Sequence, residues 1–147
     1  MFASAAGSSY QNTLFFTPVE FRERVELDKL GVYITTPAGN LRLGIYTSTQ
    51  ILTDPRPLNL IIGTAAVALN AAEHTNRMNW FEVPPQMLDA GLYWLGFLCD
   101  NGGLTVSAAQ PLMLMWTIRS YAFTYAPLPP TIPMAMDLVS PTTPFPI

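Results

Sequence analysis

Charge is what this chain has least of. Asp, Glu, Lys and Arg make up 12% of its 147 residues, against roughly 25% in a typical soluble domain. Lys29 is the lone lysine, and Arg22 and Arg24 alternate with Glu20, Glu23 and Glu26. With a net charge of −3 and scattered arginines, no basic patch exists to neutralise phosphates, which excludes nucleic acid as a partner. Cys99 stands alone, so an intrachain disulfide and a cysteine zinc site are both excluded. Inside the apolar run Leu92–Cys99 it reads as a small buried hydrophobe. No run approaches the roughly 20 apolar residues of a membrane helix, so no membrane partner is expected. The first residues lack the basic and apolar regions of a signal peptide, which makes synthesis in a cytoplasm the expectation.

Recognisable chemistry is equally scarce. His74 is the single histidine, in the polar loop Glu73-His-Thr-Asn-Arg77, and no nucleophile elbow accompanies it. The candidates for a two-carboxylate hydrolase are Glu20, Glu23, Glu26, Asp54, Glu82, Asp89 and Asp100. Ion pairing explains the first three, while Asp54 and Asp100 sit beside Pro or Gly, where aspartate serves turns. Gly102-Gly103 lacks the spacing of a phosphate loop, and no Asp-rich cluster suggests calcium. The expectation is a non-enzymatic chain with no catalytic residue, metal or cofactor.

What the sequence does have is short β-like stretches separated by turns. Val25–Thr36 alternates, changes phase at Asp28-Lys29 as at a β-bulge, and stops at Pro37-Ala-Gly-Asn40. Leu41–Thr47 alternates again, and the two runs predict a hairpin with Tyr33 and Tyr46 on its outer face. Leu58–Ile62 and Asn79–Val83 read as strands, the second ended by Pro84-Pro85. Thr64–Ala72 suits helix or strand. Gly91–Cys99 is apolar on both faces, as a central strand covered on both sides would be. Leu104–Ala108 and Leu112–Ile118 follow the Asn101-Gly-Gly103 turn. About eight strands with such turn spacing predict a single antiparallel β-sandwich or jelly roll over residues 13–119. Trp80, Phe81, Tyr93, Trp94, Phe97 and Trp116 could form a sugar-stacking platform, but most lie on strands with apolar neighbours and are assigned to core packing.

Residues 1–12 are small and polar and read as a flexible arm. Residues 120–147 hold seven of the 14 prolines and one charge, Asp137. Pro127, Pro129, Pro130 and Pro133 forbid a central strand. Yet Tyr125, Leu128, Ile132 and their apolar neighbours are too many for a disordered tail. This segment is expected to run extended and to pack on the sandwich or on a neighbouring subunit. The low charge also predicts apolar surface shared between subunits.

The run Leu27-Asp-Lys-Leu-Gly-Val-Tyr-Ile-Thr-Thr36, its Ala-Gly-Asn turn and Leu41-Arg-Leu-Gly-Ile-Tyr46 resemble a β-sandwich domain of tailed-bacteriophage virion proteins. Leu88-Asp-Ala-Gly-Leu-Tyr-Trp-Leu95 resembles that domain's Gly-Leu-Tyr-Trp-Leu strand. Gly63–Asn70 and Tyr125–Pro133 follow in the same order. The resemblance implies a jelly-roll-like sandwich, often trimeric, carried on a virion, and it turns Thr64–Ala72 toward strand. It supplies no catalytic residues. Such domains often end a longer fibre protein, whereas here no heptads or Gly-x-y repeats provide a shaft.

The expected role is therefore a virion protein, a capsid decoration or cement protein docking as a trimer on the head lattice through the major capsid protein. The competing role is a tail-fibre or baseplate module that recognises host surface glycan. Tyr33, Tyr46, Arg56, His74 and Arg77 are the candidate contacts for a partner, with Asn76 beside them in the glycan reading.

Overall fold

The computed structural model describes residues 2–6, 11–49, 55–109, 119–133 and 137–138. In chain order the elements are β1 (Phe2–Ala6), β2 (Thr13–Phe21), β3 (Val25–Thr36), β4 (Asn40–Ser48), β5 (Pro57–Gly63) and β6 (Val67–Ala68). A single helical turn, α1 (Ala71–His74), precedes β7 (Arg77–Leu88), β8 (Gly91–Cys99), β9 (Thr105–Ala109), β10 (Arg119–Ala122) and β11 (Asp137–Leu138). Sheet A has the order β1-β9-β3-β7, and sheet B the order β11-β10-β2-β8-β4-β5, with β6 attached to β4. Every pairing is antiparallel. The protein is an all-β sandwich.

The period-2 alternation places one apolar row of each strand between the sheets. Leu30 and Ile34 of β3, Val83 and Leu88 of β7 and Val106 of β9 meet Phe15, Leu41, Leu43, Ile45, Phe97 and Cys99 of sheet B. Each such side chain contributes roughly 1.5–3 kcal/mol when fully buried. The predicted hairpin is not formed, because β3 and β4 belong to opposite sheets and face each other across this core. Alternation is identical in a hairpin and in such an arch, and the turn decides between them. Gly39 adopts φ +64°, and the Asp100 carboxylate accepts Asn40 N and Nδ2 at 2.7 and 2.9 Å. That clamp ties the start of β4 to the end of β8 instead of back onto β3.

Other local expectations divide. The bulge lies where the alternation put it, between Leu27 and Lys29. Pro84-Pro85, expected to end a strand, sits inside β7. Leu27 pairs with Gln86 but Lys29 with Glu82, so the prolines fall in the slack of the bulge. As an edge strand, β7 needs no donors on its open side, which is where proline is tolerated. Residues 64–72 give only the two-residue β6 and the start of α1, neither a full strand nor a full helix. Phe2–Ala6, expected to be a free arm, pairs with β9 along the edge of sheet A. The strand predicted over residues 112–118, with Trp116, lies outside the described residues, as does Asp54.

The outward row of sheet B carries a second apolar layer. Leu14, Phe16, Tyr46, Trp94 and Leu98 are buried there together with Ile132. Residues 123–133 cross this face as a strap, with Phe123, Tyr125 and Leu128 packed against it. Prolines cannot donate, but their carbonyls accept: Tyr46 Oη donates to Pro129 O at 2.8 Å and Leu60 N to Pro130 O at 2.9 Å. Ile132 N donates to Leu58 O at 2.9 Å. At the other end, Asn12 O and Oδ1 accept Phe123 N and Tyr125 N at 3.1 and 2.9 Å. The double-sided apolar composition of β8 follows: Phe97 and Cys99 point into the sandwich, Trp94 and Leu98 under the strap.

Cys99 is fully buried, and desolvation pushes its thiol up to about 11. In native protein an aromatic disulfide reagent at pH 8 is expected to label it only at the rate of global opening, and in denaturant at once. Rapid native labelling would place Cys99 outside the core. Because the folded thiol holds its proton more tightly than the unfolded one, its contribution to stability is complete below about 9. It declines as pH rises from there through about 11.

Candidate functional site

The two outer faces of the sandwich differ. That of sheet B lies under the strap, whereas along β3 and β7 of sheet A the outer face is left open among the described residues. Asn79, Phe81 and Val83 point inward, Asn79 with 6% exposure. Met78, Trp80 and Glu82 therefore point out, and Met78, Trp80 and Met87 are 41%, 60% and 53% exposed. The register sets Lys29 opposite Glu82, Gly31 opposite Trp80, Tyr33 opposite Met78 and Glu26 opposite Met87. The result is an apolar row, Tyr33–Met78–Trp80, that runs into charged neighbours at the bulge.

Local hydrogen bonds hold one end of this row. Asn79 Nδ2 donates to His74 O and Arg77 O at 3.2 and 2.9 Å, closing the turn that starts β7. Asn70 caps α1, its Oδ1 accepting Glu73 N at 2.8 Å and its own N donating to His74 Nδ1 at 2.9 Å. The His74 ring lies 6.2 Å from that of Phe81. His74 is thus engaged in shaping the turn, and Asn76 takes the left-handed φ of +51° that completes it.

At the other end the bulge opens a groove of about 360 Å³ lined by Glu26, Leu27, Asp28, Lys29 and Trp80. Glu26, Asp28 and Lys29 are exposed. The remaining acids are spread through the fold. Asp89 lies 3.6 Å from Arg24 on the surface, Asp100 holds Asn40, and Glu73 Oε2 accepts Asn70 Nδ2 at 2.9 Å. Among the described residues, no three His, Cys, Asp or Glu side chains gather as a metal site.

Of the five candidate contacts, the structure brings three to one end of sheet A. Tyr33 pairs with Met78, Arg77 opens β7 opposite Ile34, and His74 ends α1 beside them. Arg56 lies apart, on sheet B, its backbone exchanging hydrogen bonds with Thr49. Tyr46 is a correction. It lies on the outer face of β4, but with 0% exposure, covered by the strap and edge-on to Phe16 at 5.0 Å. Burial holds its phenol far above the ordinary tyrosine range. It therefore presents nothing to a partner.

Trp80 is the opposite correction: assigned to the core, it is exposed. The signal that finds it is phase. Trp80 shares a face with Glu82 and Met78, while Asn79, Phe81 and Val83 take the other, and only one of these rows can face the core.

Comparison of the chain with family models, with curated proteins and with solved structures found no match. Among the described residues no helix is long and apolar enough to cross a membrane.

Proposed function

We propose that this protein is a non-enzymatic structural protein of a bacteriophage particle, carried on the head as a trimeric decoration, with the bare face of sheet A as its contact surface. The observation that carries the contact surface is the asymmetry of the sandwich. One outer face is closed by the chain's own strap, and the other leaves Met78, Trp80 and Met87 open. Methionines and tryptophan at such exposure are residues that interfaces use. The virion setting rests on the resemblance of the Leu27–Tyr46 and Leu88–Leu95 runs, and the trimer on that resemblance and on the low charge.

The test is direct. Light scattering of the full chain at micromolar concentration is expected to give the mass of three copies. Purified protein is expected to co-sediment with expanded capsids of its phage. A monomer would remove the trimer, and failure to bind capsids would remove the decoration role.

A further inference from the structure

A folded chain that leaves a tryptophan 60% exposed has to hold it in place, and here the device is Gly31. A Cβ on Gly31 would come within 2.6 Å of Trp80 Cζ3 and 2.7 Å of the Met78 methyl. The six-membered ring of the indole therefore rests over the glycine backbone, steadied by Met78, and its far side is open. Beside it lies the bulge groove, whose other walls are Glu26, Leu27, Asp28 and Lys29. Glu82 is the register partner of Lys29.

The chemistry of this groove selects its occupant. An apolar side chain from a protein partner would cover the indole but would strip water from two carboxylates and an ammonium without replacing it. A sugar ring offers both surfaces at once. Its axial C–H face packs on the indole, and its hydroxyls donate to Glu26 and Asp28 and accept from Lys29. Three carboxylates against one ammonium around the ring disfavour acidic sugars.

We infer that the groove between Trp80 and the Glu26–Lys29 bulge is a binding site for a neutral hexopyranose, as found in cell-surface polysaccharides. Trp80 is the stacking platform, and Glu26, Asp28 and Lys29 are the hydroxyl partners. The inference rests on the reading that the outer face of sheet A meets a partner; in the groove it makes that partner a sugar and leaves any head contact to the face around it.

The experiment is NMR titration of the full chain with methyl β-glucopyranoside, methyl β-galactopyranoside and methyl β-glucuronide, alongside capsid co-sedimentation of the same variants. A neutral glycoside is expected to shift the Trp80 indole signals with millimolar affinity, and the glucuronide to bind more weakly. Trp80→Ala is expected to weaken binding about tenfold or more. Gly31→Ala, which displaces the ring while keeping it, is expected to do the same, and Trp80→Phe to retain most of the affinity. Native dispersion of the amide spectrum shows that each variant folds. Unshifted indole signals with every sugar, or a Trp80→Ala variant that binds as the parent does, would overturn the site. If sugars fail and Trp80→Ala also loses capsid binding, the face is a protein contact: the sugar site falls and the contact surface stands. If Trp80→Ala changes neither, both fall.

Discussion

Trp94→Ala is expected to lower the unfolding free energy by about 3–5 kcal/mol, the range for removing a fully buried large aromatic. Trp94 has 0% exposure and sits among Leu14, Phe16, Tyr46, Leu98 and Ile132, under the strap rather than between the sheets. Its backbone pairs on both sides, with Tyr46 of β4 and Pro18 of β2, so the sheet cannot readily collapse into the space left by the ring. The indole also carries a polar atom into this layer. Nε1 donates to Ser48 Oγ at 3.1 Å, and Ser48 itself is 8% exposed. Ser48→Ala keeps the ring and leaves that N–H unpaired, which should cost about 1–3 kcal/mol. The two changes share one hydrogen bond, so the double variant should lose less than the sum. Equilibrium denaturation of the three variants checks this. A loss below about 1 kcal/mol for Trp94→Ala would mean that the layer beneath the strap is not a packed core.

The same residue shows how far the sequence could be read. Gly91–Cys99 announces a strand covered on both faces, and that holds. What covers the second face is invisible locally, because the covering residues come from about thirty positions further on and follow no strand period. The prolines of 127–133 speak only against regular structure. Their use as carbonyl acceptors for Tyr46 and Leu60 depends on where the strap lands. Tyr46 was therefore legible as outward-facing and illegible as covered.

The arch at Pro37–Asn40 marks a second limit. Alternation reports which side of a strand faces a core, not which neighbour it bonds to, so Val25–Thr36 and Leu41–Thr47 were legible as strands and misread as partners. The deciding contact, Asp100 on Asn40, spans sixty positions of sequence. Trp80 failed for a third reason. Its hydrophobicity argued for burial, and only the phase shared with Glu82 argued against it. The irregularity between Leu27 and Lys29, by contrast, was legible in the phase change of β3. Its extra residues nevertheless lie on β7 at Pro84-Pro85, which read as a strand end, and the groove beside Trp80 is lined from the β3 side of it.

The strap itself gives the second large effect. Ile132 is 1% exposed, its N–H bonds Leu58 O, and Thr131 bridges Asn59 on the outer edge of β5. Ile132→Asp would bury a carboxylate among Leu14, Phe16, Tyr46, Trp94 and Leu98, while Arg42 on this face of β4 is engaged over the Tyr125 ring. Burying it unpaired costs several kcal/mol, more than the few hydrogen bonds that hold the strap's end can resist. The sandwich core on the other face of sheet B contains no strap residue, so the cheapest response is local: the strap lifts and the two sheets stay. Lifting breaks the Tyr46–Pro129 and Leu60–Pro130 bonds together and uncovers Trp94. Expected signs are dye binding by the exposed aromatic layer, faster chymotryptic cleavage after Phe123 and Tyr125, and a global stability lower by about 3 kcal/mol or more. Ile132→Val, which keeps the shape less one methyl group, should cost only about 0.5–1.5 kcal/mol and leave cleavage unchanged. If Ile132→Asp were cut no faster than the parent, the strap would not be seated on sheet B, and the apolar row of Tyr46 and Trp94 would need another cover. Gly44 provides an independent check of the seating. Its missing side chain leaves room for the Leu128 methyl, which a Cβ would meet at 2.5 Å. Gly44→Ala should therefore displace the Leu128 side chain from below, and it should speed cleavage at the same bonds but by less than Ile132→Asp does.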